Sequence, residues 1–182
     1  GLGGGAFGPA TQHATNGGTP VCLALGELNG DGVLVVVVAH QLTATVAFLF
    51  GLGGGALGAP TLYPGESPRA LALGDLNGDG LLDVALAGAS AVPLDVMLNL
   101  GGGVFSAPAA YPVGSSPNAI ALGDLDGDGL LDVAMTNFFQ NTISVGLNQG
   151  GGVFLGTRNL FTGVHPRGVA LGDMNADGAP DL

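Results

Sequence analysis

The chain has 182 residues, a formal net charge of −11 and only 9% charged residues, against about 25% in ordinary soluble domains. Its only cations besides histidine are Arg69, Arg158 and Arg167, so no basic patch exists to displace counterions and nucleic-acid binding is excluded. One cysteine, Cys22, excludes a disulfide framework.

The 36 glycines and 11 prolines would suggest disorder if scattered, but they recur in register and so mark turns. A Gly turn at 3–5 and the element Ala6-Phe-Gly-Pro-Ala come first. Pro20 then leads an apolar segment into an acid-bearing loop, Glu27-Leu-Asn29-Gly-Asp31-Gly-Val33-Leu-Val35. Residues 33–50 are apolar enough to raise the question of a membrane span. His40, Gln41, Thr43 and Thr45 interrupt them, and the stretch is short and marginal for one; alignment with later units predicts a pair of strands and no transmembrane segment. Cys22 aligns with Ala70, Ala119 and Gly168, which predicts a small core residue.

The second unit restarts at Pro68 and carries Asp75-Leu-Asn77-Gly-Asp79-Gly-Leu81-Leu-Asp83, then a Gly turn at 101–103. The third runs from Pro117 through Asp124-Leu-Asp126-Gly-Asp128-Gly-Leu130-Leu-Asp132 to a polar connection at 137–141 and a Gly turn at 150–152. The fourth restarts at His165-Pro166 and reaches Asp173-Met-Asn175-Ala-Asp177-Gly-Ala179-Pro-Asp181. Apolar segments of four to eight residues bounded by Gly, Pro, Asn or Asp predict strands, four antiparallel per unit and almost no helix. A four-stranded unit recurring about every 49 residues predicts β-propeller blades, with boundaries near 19, 67, 116 and 165. The acidic loop then joins the first and second strands, and the Gly turn, at 53–55 in the first unit, joins the third and fourth. At about 3.7 repeats the single region 1–182 falls short of the four blades a small propeller needs, which predicts part of a longer chain.

Clustered carboxylates need a counter-charge: two about 4 Å apart repel by about 4 kcal/mol at an effective dielectric near 20. Oxygen ligands alternating along a tight loop suit calcium. Positions 1, 3, 5 and 9 offer side chains and position 7 a carbonyl. Three calcium sites are therefore expected: Asp75, Asn77, Asp79, Leu81 and Asp83; Asp124, Asp126, Asp128, Leu130 and Asp132; and Asp173, Asn175, Asp177, Ala179 and Asp181. A fourth, degenerate site (Glu27, Asn29, Asp31, Val33) lacks the ninth ligand, because Val35 stands there. An EF-hand is excluded, since position 12 is Leu86 or Met135 where a bidentate Glu is required.

These residues resemble the FG-GAP repeat, called VCBS in bacterial proteins and found in integrin α-subunit propellers. The carrying motifs are Ala72-Leu-Gly-Asp-Leu-Asn-Gly-Asp-Gly80 with Asp83-Val84 and its copies at 121–133 and 170–181. The FG-GAP element recurs as Ala56-Leu-Gly-Ala-Pro60, Val104-Phe-Ser-Ala-Pro108 and Val153-Phe-Leu-Gly156. The resemblance implies an extracellular or cell-surface binding or adhesion module whose partners are glycans or proteins.

Catalysis is not expected. Nearly every carboxylate sits in a metal loop, His13, His40 and His165 occupy different blade positions, and no Gly-x-Ser-x-Gly appears. Candidate contacts are Arg69, Asn118 and Arg167, which with Val21 follow the repeat's Pro, and the connection Asn137-Phe138-Phe139-Gln140-Asn141. His13, Tyr63, Tyr111 and Phe161 recur five to seven residues before that Pro. Scarce surface charge and no Asn-x-Ser/Thr sequon also fit an O-glycosylated surface, or a structural subunit of a sheath, wall or filament that packs on copies of itself. An accessory propeller of a larger enzyme is a further alternative.

Overall fold

The computed structural model describes residues 8–89 and 92–182, so the Gly turn at 3–5 and the start of the first FG-GAP element lie outside the described residues. Every regular element among them is a strand. The first blade contains β1 (Pro20–Gly26), β2 (Val35–His40), β3 (Thr45–Leu49), a small hairpin of β4 (Gly51–Gly53) and β5 (Ala56–Leu57), and β6 (Thr61–Pro64). The second contains β7 (Pro68–Gly74), β8 (Asp83–Gly88), β9 (Leu94–Met97) and β10 (Ala109–Tyr111). The third contains β11 (Pro117–Gly123), β12 (Asp132–Asn137), β13 (Thr142–Asn148) and β14 (Phe154–Phe161). Each is a four-stranded antiparallel sheet in sequence order, with the acidic loop between its first two strands and the Gly turn between its last two. The span 33–50 is the pair β2 and β3, and among the described residues no helix is long and apolar enough to cross a membrane. The fourth unit contributes one bridge, Gly172 to Asp181.

Every blade opens the same way. Thr19, Ser67, Ser116 and His165 take positive φ, from 48° to 55°, immediately before the repeat's Pro. The first strand then bulges between that Pro and the small residue two on, at Pro20/Cys22, Pro68/Ala70 and Pro117/Ala119. Val21, Arg69 and Asn118 are thus the bulged residues, where the extra residue re-aims its side chain. The Cys22 thiol is half-buried, and burial pushes its pKa up to about 11, keeping it protonated and inert.

The core lies between blades. Val37, Val46 and Phe48 of the first pack on Val84, Leu86, Met97 and Phe105 of the second. Ala85, Leu94 and Val96 of the second pack on Val133, Met135 and Phe154 of the third. The Phe of the FG-GAP elements at 104–108 and 153–156 is the knob: Phe105 lies 4.4 Å from Phe48 and 5.8 Å from Tyr63, and Phe154 lies 5.7 Å from Tyr111; the element at 56–60 has Leu57 there. Glycine ends each first strand because a leucine of the next blade fills the space. A Cβ on Gly26 would sit 2.8 Å from Leu73 Cδ1, and one on Gly123 2.7 Å from Leu171 Cδ1.

Asp95 on β9 is buried inside this core, and its Oδ1 has no hydrogen-bond partner among the described residues. Burial first, and the Glu66 carboxylate after it, raise its pKa against the lowering effect of the Glu66 N–H bond. A carboxyl with a folded pKa above its unfolded one stabilises the fold most when protonated, and that contribution is lost as pH rises through the folded pKa. Asp95→Asn keeps an acceptor for the Glu66 N–H and removes the buried charge. It is expected to stabilise the fold at neutral pH by about 0.5–2 kcal/mol, read as a higher urea midpoint, with the gain vanishing as pH falls below the carboxyl's unfolded pKa. A difference from wild type that stays flat across pH would contradict this account.

Candidate functional site: acidic loops and the opposite edge

In the second loop Asp75 Oδ1 accepts from the Gly78 and Asp79 N–H groups, and Oδ2 from the Gly80 N–H at 2.8 Å. Asp79 Oδ1 accepts from the Leu81 N–H, and Asn77 Nδ2 donates to Asp79 Oδ2. The third loop repeats this with Asp124, Asp128 and Leu130. Gly78, Gly80, Gly127 and Gly129, at φ 80° to 88°, permit the wrap at low steric cost. Position 3 distinguishes the loops. Asn77 bridges to its neighbouring acid through an amide donor, whereas Asp126 has none to offer. Ligand atoms of Asp124, Asp126 and Asp128 lie within 4.8 Å of one another, a set of oxygens with no cationic side chain paired to it among the described residues and of the type that suits a hard cation.

In these two loops the ninth-position acids are the buried members of the set. Asp83 and Asp132 are fully buried. Asp83 accepts the Leu76 N–H on Oδ2 and the Asn99 N–H on Oδ1; Asp132 accepts the Leu125 and Asn148 N–H groups in the same way. Burial raises both pKa values and the loop carboxylates add to it, while these N–H bonds oppose the rise. Asp173, Asn175, Asp177 and Asp181 repeat the pattern in the exposed fourth loop. The Gly178 N–H on Asp173 and the Ala179 N–H on Asp177 lower those two pKa values.

Sequence reasoning missed Asn99 and Asn148, which tie these loops together. Asn99 Nδ2 donates to Leu82 O of its own loop and to Leu28 O of the preceding blade's loop, while Oδ1 accepts the Gly101 N–H. Asn148 does the same with Leu131 O, Leu76 O and Gly150 N–H. The available signal was an Asn two residues before the Gly turns at 101–103 and 150–152. In the first blade Gly51 takes that place, and a Cβ there would strike Val33 Cγ1 at 2.4 Å. Val35 replaces the acid in the same blade, so acid and Asn are lost as a pair. Its loop closes locally: Glu27 Oε1 accepts the Asn29 and Gly30 N–H groups, and Asp31 accepts from Asn29 Nδ2 and the Val33 N–H.

The other group of candidates sits at the far end of β12, five residues from Asp132 at about 3.3 Å each. Asn137 is buried within the sheet. It is 1% exposed because β12 continues through it, pairing with Pro117 and Thr142. Phe138 is half-buried and Phe139 65% exposed. The Phe138 ring stacks on His165 at 4.6 Å, and the Arg167 guanidinium lies 5.1 Å from its centroid. Asn141 Oδ1 accepts the His165 N–H, fixing this pairing. Arg69 and Asn118 are half-buried, and no described hydrogen bond or ring contact joins them to this cluster. Phe161 does not share the site of Tyr63 and Tyr111: strand pairing gives that place to Leu160, opposite Ile143, as Tyr63 is opposite Val46 and Tyr111 opposite Leu94. Counting back from the Pro failed because the linkers differ in length.

The family described as FG-GAP-like repeat matches residues 27–86, 75–135 and 124–182. Among curated proteins none matches the sequence. Solved structures with the same fold include an Agrocybe aegerita lectin that recognises non-reducing terminal N-acetylglucosamine, at 22% identity and TM-score 0.60, over 86% of this chain and 44% of that one. The Photorhabdus luminescens Tc holotoxin pore matches at 22% identity and TM-score 0.53, over 87% of this chain and 8% of that one. BBS1N in its complex with ARL6DN matches at 15% identity and TM-score 0.57, over 88% and 45%. The chain thus spans less than half the length of each.

Proposed function

The chain belongs to the FG-GAP-like repeat family, and on that footing we propose that it is a calcium-stabilised, extracellular or cell-surface propeller module that binds glycans. Loops two to four would hold calcium through the carboxylates and amides at positions 1, 3, 5 and 9 and the position-7 carbonyls of Leu81, Leu130 and Ala179, with the first loop weaker. Calcium supplies counter-charge there and lends the fold stability; it activates no water. Recognition is assigned to the opposite edge, and no catalytic group is assigned to the chain.

One observation carries the recognition reading: Phe138 stacks on His165 and has the Arg167 guanidinium 5.1 Å from its centroid, with Phe139 exposed beside it. Aromatic faces flanked by a cation and amides suit the C–H faces and hydroxyls of sugars. A lectin among the structures of the same fold supports the glycan class. The test is a glycan array probed with the folded chain in calcium and again in chelator. Saturable, calcium-dependent binding is expected, weakened about tenfold or more in Phe139→Ala and Arg167→Ala. A blank from folded protein would overturn the reading and favour an assembly subunit. That second reading draws on Leu23 and Leu25 of β1 and Leu155 of β14, which are 55–64% exposed on the two outer blades.

A further inference from the structure

The seam between the second and third blades contains an open cleft of about 490 Å³, within the size range of small-molecule sites. Resting on the glycan-binding reading, we infer that this cleft is a subsite for a neutral sugar residue. No charged side chain lines it. Its floor is a fixed polar relay: buried Asn137 accepts the Ser115 N–H on Oδ1 and donates through Nδ2 to Thr142 Oγ1 and Ser144 Oγ. Ser144 Oγ donates in turn to Asn159 Oδ1 at 2.6 Å. That last bond fixes the Asn159 amide, so its Nδ2 is the donor presented to a ligand. Gln140 adds an exposed amide at the rim. Phe161, two residues along the same strand and therefore on the same side, is 92% exposed and offers an aromatic face.

The fold does not require this arrangement. Strand pairing puts His40, Ala47 and Leu62 at the corresponding places of the first blade and Gly88, Asp95 and Ala110 at those of the second. A relay needed for blade structure would recur; here one blade alone builds it. The lining also selects by charge. Amides and hydroxyls satisfy sugar hydroxyls in both directions, whereas a carboxylate would lose water and meet no cation.

The test measures binding to immobilised neutral oligosaccharides of glucose, galactose, mannose and N-acetylglucosamine, each beside a uronic-acid or sialylated counterpart. Wild type, Asn159→Asp and Phe161→Ala are compared, with melting temperature as the control for folding. Asn159→Asp keeps the acceptor for Ser144 and removes the amide donor. Neutral probes are expected to bind, with about tenfold weaker binding in each variant and unchanged melting. If both variants bind like wild type, the glycan reading stands and this subsite falls. A preference for the acidic probes likewise overturns it, and a wild type that binds no probe overturns both.

Discussion

Removing calcium is expected to lower the melting temperature of this chain by about 8–16 °C. At free calcium about tenfold above the dissociation constant, each occupied loop contributes roughly 1.4 kcal/mol, so three contribute about 4. For a domain near this size each kcal/mol moves the midpoint by about 2–4 °C. The physical source is the mouth of each loop. Asp124, Asp126 and Asp128 present oxygens within 4.8 Å of one another, and no cationic side chain pairs with them among the described residues. Calorimetry in calcium against chelator measures the shift, and coincident transitions would remove calcium from the account. Asp126→Asn in the third loop, which recreates the Asn of the second and fourth, should shrink that loop's share of the shift.

Asn148→Ala is expected to cost about 3 kcal/mol. It strands the buried Leu76 O and the part-buried Leu131 O and Gly150 N–H, each unmade partner costing about 1–3 kcal/mol when buried and less at the part-buried positions. The midpoint should fall by roughly 6–12 °C. Gln149→Ala, the exposed neighbour, serves as control and should stay within about 0.5 kcal/mol. Urea unfolding of both variants decides the matter: equal midpoints would mean that the staple contributes nothing.

The blade itself was legible in the sequence because its signals are local. Strand, acidic loop, strand and Gly turn each occupy a few consecutive residues, and four copies in register leave little freedom in reading them. The staple was not legible because it joins residues 71 and 72 positions apart, and no local pattern says which carbonyl an Asn will find. The burial of Asn137 was hidden for a related reason. This residue begins a polar run, Asn137-Phe-Phe-Gln-Asn141, yet its side chain closes a buried relay that only strand pairing reveals. Phe161 and Leu160 changed roles because a one-residue shift moves a side chain to the other face of a strand.

The staple also has a direction. Asn99 and Asn148 each reach back to the loop of the blade before them, as Phe105 and Phe154 reach back to Tyr63 and Tyr111. The second blade therefore carries a plug on one side and a filled socket on the other, a head-to-tail contact of the kind that grows until rotation closes it. Tandem duplication of one such unit yields a joint already matched to its neighbour, with no new interface to evolve. The joint chemistry sets no upper count; the angle turned per blade does.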